Sequence, residues 1–259
     1  MLGFRIAAQT SCLAQSIKKA LHTAAEVGCN GVQIDGRTEL PPAELSETGL
    51  RQFRKILADL NLRVGSVAFP TRRGYADPAD LQPRLEATEA AMHFASRLGS
   101  GVLVGNLGPM PHSEDTSALA TLHGALERLA SVGNRLGVRF VAQSAAPALL
   151  LDELIRQLPE GTLWLDLHPA SLISRGDSPS EFVDVAGRHI AHVHAADAVY
   201  DLSTSKGVEV ELGRGTADFP ELLGMLEEHG YRDWLTIERR QSRQPIEDFR
   251  NAVSYLRSL

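Results

Sequence analysis

Four short segments of the chain end in side chains able to bind, donate or accept protons. They are FVAQS with Gln143, LWLDLH with Asp166 and His168, IAHVHAAD with His192, His194 and Asp197, and LTIERR with Glu238 and Arg240. Each alternates polar with apolar residues, and successive side chains of a strand face opposite sides. Leu163, Leu165 and Leu167 then share one side, and Trp164, Asp166 and His168 the other. The same parity sends Phe140 and Ala142 outward with Val141 and Gln143 inward, and Ala191, Val193 and Ala195 outward with His192 and His194 inward. In the last segment Leu235 and Ile237 face outward, and Thr236, Glu238 and Arg240 inward. Gln33 and Asp35 end an earlier run, GVQID, on one parity. Turning a polar side chain into an apolar interior is costly unless it is paired or ligates something. A lone inward histidine is most simply a hydrogen-bonded core residue. Gln143, Asp166, His168, His192, His194 and Glu238 together, near the ends of successive strands, read as a functional site. Imidazole and carboxylate side by side suit a divalent transition metal such as zinc or manganese; a purely hydrogen-bonded polar cluster is the alternative.

Residues so far apart in sequence need a framework that brings strand ends together. Eight β-like runs supply it: Phe4 to Thr10, Gly31 to Asp35, Leu62 to Phe69, Gly101 to Gly108, Val138 to Ser144, Thr162 to His168, Ile190 to Asp197 and Trp234 to Arg240. Each is followed by a helical pattern. Leu50, Phe53, Ile56, Leu57 and Leu60 have i, i+3, i+4 spacing, as does the series from Leu119 through Leu122, Leu126 and Leu129 to Leu136. Asp218 is placed to cap a helix with Pro220 in its first turn, and Gly28, Gly99, Gly137 and Gly230 to end helices. Strict β-then-α alternation implies parallel strands with right-handed crossovers. Eight units predict one α/β domain over 1–259, a single (β/α)8 TIM barrel with its site at the C-terminal ends of the strands. A doubly wound open sheet is the competitor, weakened by the absence of GxGxxG or GxxxxGK[ST] after the first strand. The stretch from Ala198 to Thr216 reads as irregular, and a loop of that length at a barrel's working face is often functional.

Composition narrows the partners. With 43% hydrophobic and 22% charged residues the chain resembles an ordinary globular protein, and a net charge of -6 argues against a nucleic-acid backbone as partner. No apolar run is long enough to cross a bilayer, and the first residues carry no secretory pattern, so a cytoplasmic protein is expected. Cys12 and Cys29 sit in apolar stretches and read as buried, inert thiols.

The segment HVHAADA (His192 to Ala198), then ELGRGTADFPELLGMLEEHGYRDWLTIERR (Glu211 to Arg240), resembles the xylose-isomerase-like TIM barrel superfamily, which includes sugar phosphate isomerases/epimerases and endonuclease-IV-type enzymes. The run from Phe69 to Ser100 resembles one bacterial branch of it. The resemblance implies a metal held by Glu, Asp, His and Glu from four strand ends. Residue by residue, His194 falls on the histidine and Glu238 on the last glutamate, while Gln143 stands where the first glutamate belongs. For the aspartate, Asp166 matches by type, whereas aligning PASLI with the family's DPANLI puts His168 in that place. The set Gln143, His168, His194 and Glu238 carries one formal negative charge where the family has three, so zinc or another imidazole-tolerant ion is expected before magnesium, or no metal at all.

The activity implied is isomerisation or epimerisation of a small carbohydrate by proton transfer next to a carbonyl. Glu238 is expected to move the proton, with His168 or Asp166 as partner. Asp35, Arg72, His192, Lys206, Arg214 and Arg240 are expected substrate contacts, Arg240 alternatively a partner for Glu238. Asp197 is expected near substrate, orienting His194 or a loop. A lyase or hydratase acting on an oxidised sugar and a non-catalytic sugar-binding descendant are the other readings. DNA repair is disfavoured because the richer His/Asp/Glu set it uses is absent. A homo-oligomer is left open.

Overall fold

The computed structural model describes residues 3–201, 203 and 206–259. Its strands are β1 (Arg5–Gln9), β2 (Gly31–Asp35), β3 (Arg63–Ala68), β4 (Val102–Asn106), β5 (Arg139–Gln143), β6 (Trp164–Leu167), β7 (Ile190–Ala195), β8 (Asp197–Asp201), β9 (Lys206–Val210) and β10 (Trp234–Ile237). Eight of them, all but β8 and β9, form one closed parallel ring in the order β1-β10-β7-β6-β5-β4-β3-β2. The first and last strands close it, with Ile6 beside Leu235 and Ala8 beside Ile237. Closure leaves the ring itself without an edge strand and rules out the open sheet. The protein is a (β/α)8 barrel, as the alternation predicts.

The helices are α1 (Ile17–Glu26), α2 (Glu47–Asp59), α3 (Leu81–Arg97), α4 (Thr116–Leu136), α5 (Ala148–Gln157), α6 (Pro169–Ile173), α7 (Pro179–Ala186), α8 (Phe219–Glu228) and α9 (Pro245–Ser258). Helix α2 buries Leu50, Phe53 and Leu57, and α4 buries Leu122, Leu126 and Leu129, the stripes their spacing predicts. Asp218 caps α8 by accepting from the Glu221 amide at 3.1 Å. Gly28, Gly99, Gly137 and Gly230 all have positive φ, which glycine adopts without a Cβ clash as the chain leaves a helix. Val32, Ile34, Leu103, Phe140, Leu165, Val193 and Ile237 face the helices in one continuous apolar shell. No helix is long and apolar enough to cross a membrane among the described residues.

Two features depart from the sequence reading. Between β6 and β7 the pairing runs from Leu165 with Ile190 to Asp166 with His192, so β7 carries one extra residue. That bulge turns Ala191 inward, where it packs with Val102, Val104 and Val141 instead of facing the helices. Second, the stretch after β7 is not irregular throughout. Strands β8 and β9 form an antiparallel hairpin pairing Asp197 with Val210 and Asp201 with Lys206. Its short, mixed strands carry too little alternation to be read as a hairpin.

Candidate active site at the mouth of the barrel

The C-terminal ends of the strands open on a cavity of about 840 Å³. Gln9 from β1, Gln33 and Asp35 from β2, Asn106 from β4 and Gln143 from β5 line it. Asp166, His168, His194, Glu238 and Arg240 complete the side formed by β6, β7 and β10, and Glu209 reaches in from the hairpin.

Beneath the opening lies a closed ring of hydrogen bonds. Asp166 is at its centre, with Oδ1 2.7 Å from His192 Nδ1 and Oδ2 2.8 Å from His194 Nδ1. Gln143 Nε2 donates a further bond to Oδ2 at 3.0 Å. His192 Nε2 meets Thr236 Oγ1 at 2.8 Å and Ser66 Oγ at 3.0 Å. Ser66 Oγ accepts from Gln33 Nε2 at 2.8 Å, and Gln33 Oε1 lies 3.1 Å from His194 Nε2. The route Gln33–Ser66–His192–Asp166–His194 thus returns to Gln33. Both ring nitrogens of His194 face oxygen acceptors, an arrangement that favours the imidazolium. Burial pushes His194 down, but the Asp166 charge and hydrogen bond, with the Glu238 charge, outweigh it and push it above the ordinary histidine value. Burial and the neighbouring His194 charge push His192 down, against the pull of Asp166. Burial raises the Asp166 carboxyl, but the charge of His194 and the two imidazole hydrogen bonds hold it well below the usual carboxylate range.

Above this ring lies a second group. His168 caps the short helix α6, its Nδ1 accepting from the Ser171 amide at 3.2 Å. A nitrogen that accepts carries no proton, so the neutral ring holds its proton on Nε2 and donates it to Glu238 Oε1 at 3.2 Å. Arg240 Nε lies 2.6 Å from the same oxygen and Arg240 Nη2 donates to Oε2 at 3.3 Å. His194 Nε2 stands 3.6 Å from Oε2. Burial pushes the Glu238 carboxyl up, but the His168 hydrogen bond and the charges of His194 and Arg240 hold it well below the usual carboxylate range.

Residues 21–259 match the family model described as xylose isomerase-like TIM barrel. The chain belongs to that family. No curated protein is matched by sequence. Among solved structures, a xylose isomerase domain protein from Planctomyces limnophilus superposes with a TM-score of 0.82 at 20% identity, over 98% of this chain and 94% of that one. A xylose isomerase-like TIM barrel protein from Mycobacterium smegmatis, in complex with magnesium, gives 0.79 at 15% identity over 100% and 99%. A D-psicose 3-epimerase in the presence of D-fructose gives 0.78 at 15% identity over 98% of each chain. At these identities the likeness is one of fold.

The family resemblance implies a metal, and two groups bring potential ligand atoms within 4.8 Å of one another: Asp166, His192 and His194, and His168, His194 and Glu238. Their hydrogen bonding does not fit a divalent cation. Asp166 directly abuts both imidazole Nδ1 atoms at hydrogen-bond distance, with no room for an ion between them. Both oxygens of Glu238 are taken by Arg240, and the His168 tautomer turns a proton, not a lone pair, toward the same carboxylate. Gln143 gives its amide nitrogen to Asp166. A cation here would also sit beside the Arg240 guanidinium and the His194 ring.

The structure gathers Asp35, Gln143, Asp166, His168, His194, Glu238 and Arg240 around one opening. Asp35 also holds its own turn, with Oδ1 accepting from the Arg37 and Thr38 amides. Other expected substrate contacts lie elsewhere. His192 is below the floor, 1% exposed, and holds Asp166 from beneath. Asp197 is fully buried and accepts from the amides of Ala198, Gly213, Gly215 and Ala217, so it anchors the loop after β7 and orients neither His194 nor substrate. Arg72, Lys206 and Arg214 are exposed and do not line the cavity. Charged residues in loops follow the loop's course, which parity along a strand does not define. Cys12 is half-buried and lines the cavity, unlike the buried thiol expected. Burial pushes its thiol up to about 12, so it holds no thiolate at neutral pH. Sequence reasoning missed Ser66 and Glu209. Ser66 faces inward because β3 carries an extra residue where Val32 pairs with Val64 and Gln33 with Ser66. Glu209 is delivered by the hairpin.

Proposed function

We propose that this barrel is an isomerase acting on a small hydroxy-carbonyl carbohydrate, moving a proton between adjacent carbons. The observation that carries the reading is the Glu238–His168 pair at 3.2 Å on the wall of the cavity. Glu238 takes the proton from the carbon next to the carbonyl, leaving an enediolate. His168, with Nδ1 fixed by the Ser171 amide, carries a proton between the carbonyl and hydroxyl oxygens through Nε2. Glu238 then returns its proton to the neighbouring carbon. Epimerisation instead needs a proton removed from one face and returned to the other. Gln143, three strands around the ring from Glu238, has an amide that cannot accept a proton as a base, which favours isomerisation on one face. The fold shared with a D-psicose 3-epimerase supports a carbohydrate as substrate class. The divalent metal that the sequence leaves open has no part in this reading, because the donor atoms are already committed to protein partners.

One observation favours a second reading, a sugar-binding protein without turnover. The Arg240 ion pair and the His168 bond leave Glu238 a weak base. One experiment separates the two. Small aldoses, ketoses and their phosphates are incubated with the protein in heavy water, and deuterium next to the carbonyl is followed by NMR. The proposal expects exchange with formation of the isomer, and a loss of roughly 10³-fold in Glu238→Gln. Binding of a sugar without exchange would establish the second reading.

A further inference from the structure

Resting on the isomerase reading, we propose that Arg240 is the electrophile of this site: its guanidinium leaves Glu238 for the substrate oxygen and supplies the positive charge that stabilises the enediolate, so turnover needs no metal. Three observations support this. First, Arg240 lines the cavity and its side chain is 64% exposed, whereas Glu238 beside it is 4% exposed. The guanidinium can therefore pivot while the carboxylate cannot. Second, the main chain beneath it is clamped. The amides of Arg240 and Gln241 donate to Glu209 Oε1 and Oε2, each at 2.8 Å. The preceding Arg239 is largely buried and tied to Glu209 and Asp248. The clamp holds the main chain and leaves the Arg240 side chain exposed at the cavity. Third, the carboxylates that would hold an ion are engaged with the chain's own side chains, Asp166 with the two imidazoles and Glu238 with the Arg240 guanidinium.

The two consequences of the move reinforce each other. A guanidinium bound to the substrate carbonyl offers two parallel N–H donors to the oxygen on which negative charge develops. Its departure also removes a cation from Glu238, which becomes a better base at the moment substrate is present. Atoms balance without any external reagent: the carbon-bound proton goes to Glu238 and returns to the adjacent carbon, and the hydroxyl proton crosses through His168.

The test starts from chelator-treated, metal-free protein. Bound manganese, zinc and magnesium are measured by elemental analysis after equilibration and gel filtration, and deuterium exchange into sugar is measured with and without each ion. The proposal expects no stoichiometric uptake and full exchange without metal, while the variant Gln143→Glu/His168→Asp gains metal uptake. Arg240→Ala is expected to lower kcat roughly 10²-fold, to keep its thermal midpoint, and to regain much of the loss on adding non-denaturing guanidinium. Uptake of one ion per chain with exchange that depends on it would overturn the role of Arg240 and leave the isomerase reading standing. So would unchanged kcat in Arg240→Ala. Absence of exchange under every metal condition would overturn the isomerase reading itself, and the role of Arg240 with it.

Discussion

The two ends of the barrel solve the same packing problem in opposite ways. At the N-terminal end the ring is plugged. The Trp234 ring fills the space beside Gly31 and Gly65, where a Cβ would come within 2.6 Å and 2.7 Å of it. Arg5 lies 4.4 Å over that ring, and Arg139 lies 5.3 Å over Trp164. Asp233 joins the two arginines at 2.7 Å and 3.4 Å. At the C-terminal end the inward positions carry imidazoles, amides and carboxylates around an open cavity. Both ends contain cations near carboxylates. Below, the charges rim a filled plug and stack on aromatic faces. Above, Glu238 and its partners His168 and Arg240 line a space that a ligand can enter. The difference teaches that polar residues inside a barrel are not in themselves a site; open volume next to them makes one.

The largest expected effect tests the lower end. Trp234→Ala should destabilise the protein by about 3–5 kcal/mol through the cavity it leaves, measured by urea unfolding. A change below about 1 kcal/mol would show that the plug is dispensable and that the two ends differ less than their packing implies.

An intermediate effect, in pH, belongs to the upper end. Asp166 and Glu238 have folded-state pKa values below their ordinary 3.8 and 4.5, so the stability they contribute is present at neutral pH and lost as pH falls below that range. His192 is lowered from 6.5, so its burial in the neutral form also becomes a penalty as pH falls. His194 is raised above 6.5, so its contribution is complete below that value and disappears as pH rises through its folded pKa. Urea midpoints should therefore peak between these limits and fall more steeply on the acid side, and Asp166→Asn should flatten the acid limb. An acid limb of unchanged slope in that variant would locate the sensitivity outside the ring of hydrogen bonds.

The smallest effect is expected at Arg72, Lys206 and Arg214. Alanine at each should change stability by less than about 0.5 kcal/mol and leave deuterium exchange within about twofold of the parent. A marked rise in KM in any of them would extend the upper site onto the surrounding loops.

Much of this was legible in the residues, and the boundary follows a physical rule. Period-2 alternation predicts that Gln143, Asp166, His194 and Glu238 turn inward, since a strand has only two faces. The rule fails where a strand gains a residue. Ala191 and Ser66 face the interior because bulges shift β7 against β6 and β3 against β2, and pairing between distant strands leaves no local trace in composition. Hairpin β8–β9 and the Glu209 clamp on Arg240 were likewise illegible, because both depend on contacts across a chain reversal.

By itself the sequence determined the closed barrel and the end at which its polar residues gather. These follow from periodicity and residue type, which are local properties. Only the tertiary structure decided which of those polar groups are satisfied by one another and which face open space. Asp197 became a loop anchor, His192 a support beneath the floor, and Arg240 the partner of Glu238. Hydrogen bonds act over about 3 Å, and such distances between residues far apart in sequence exist only once the ring has closed.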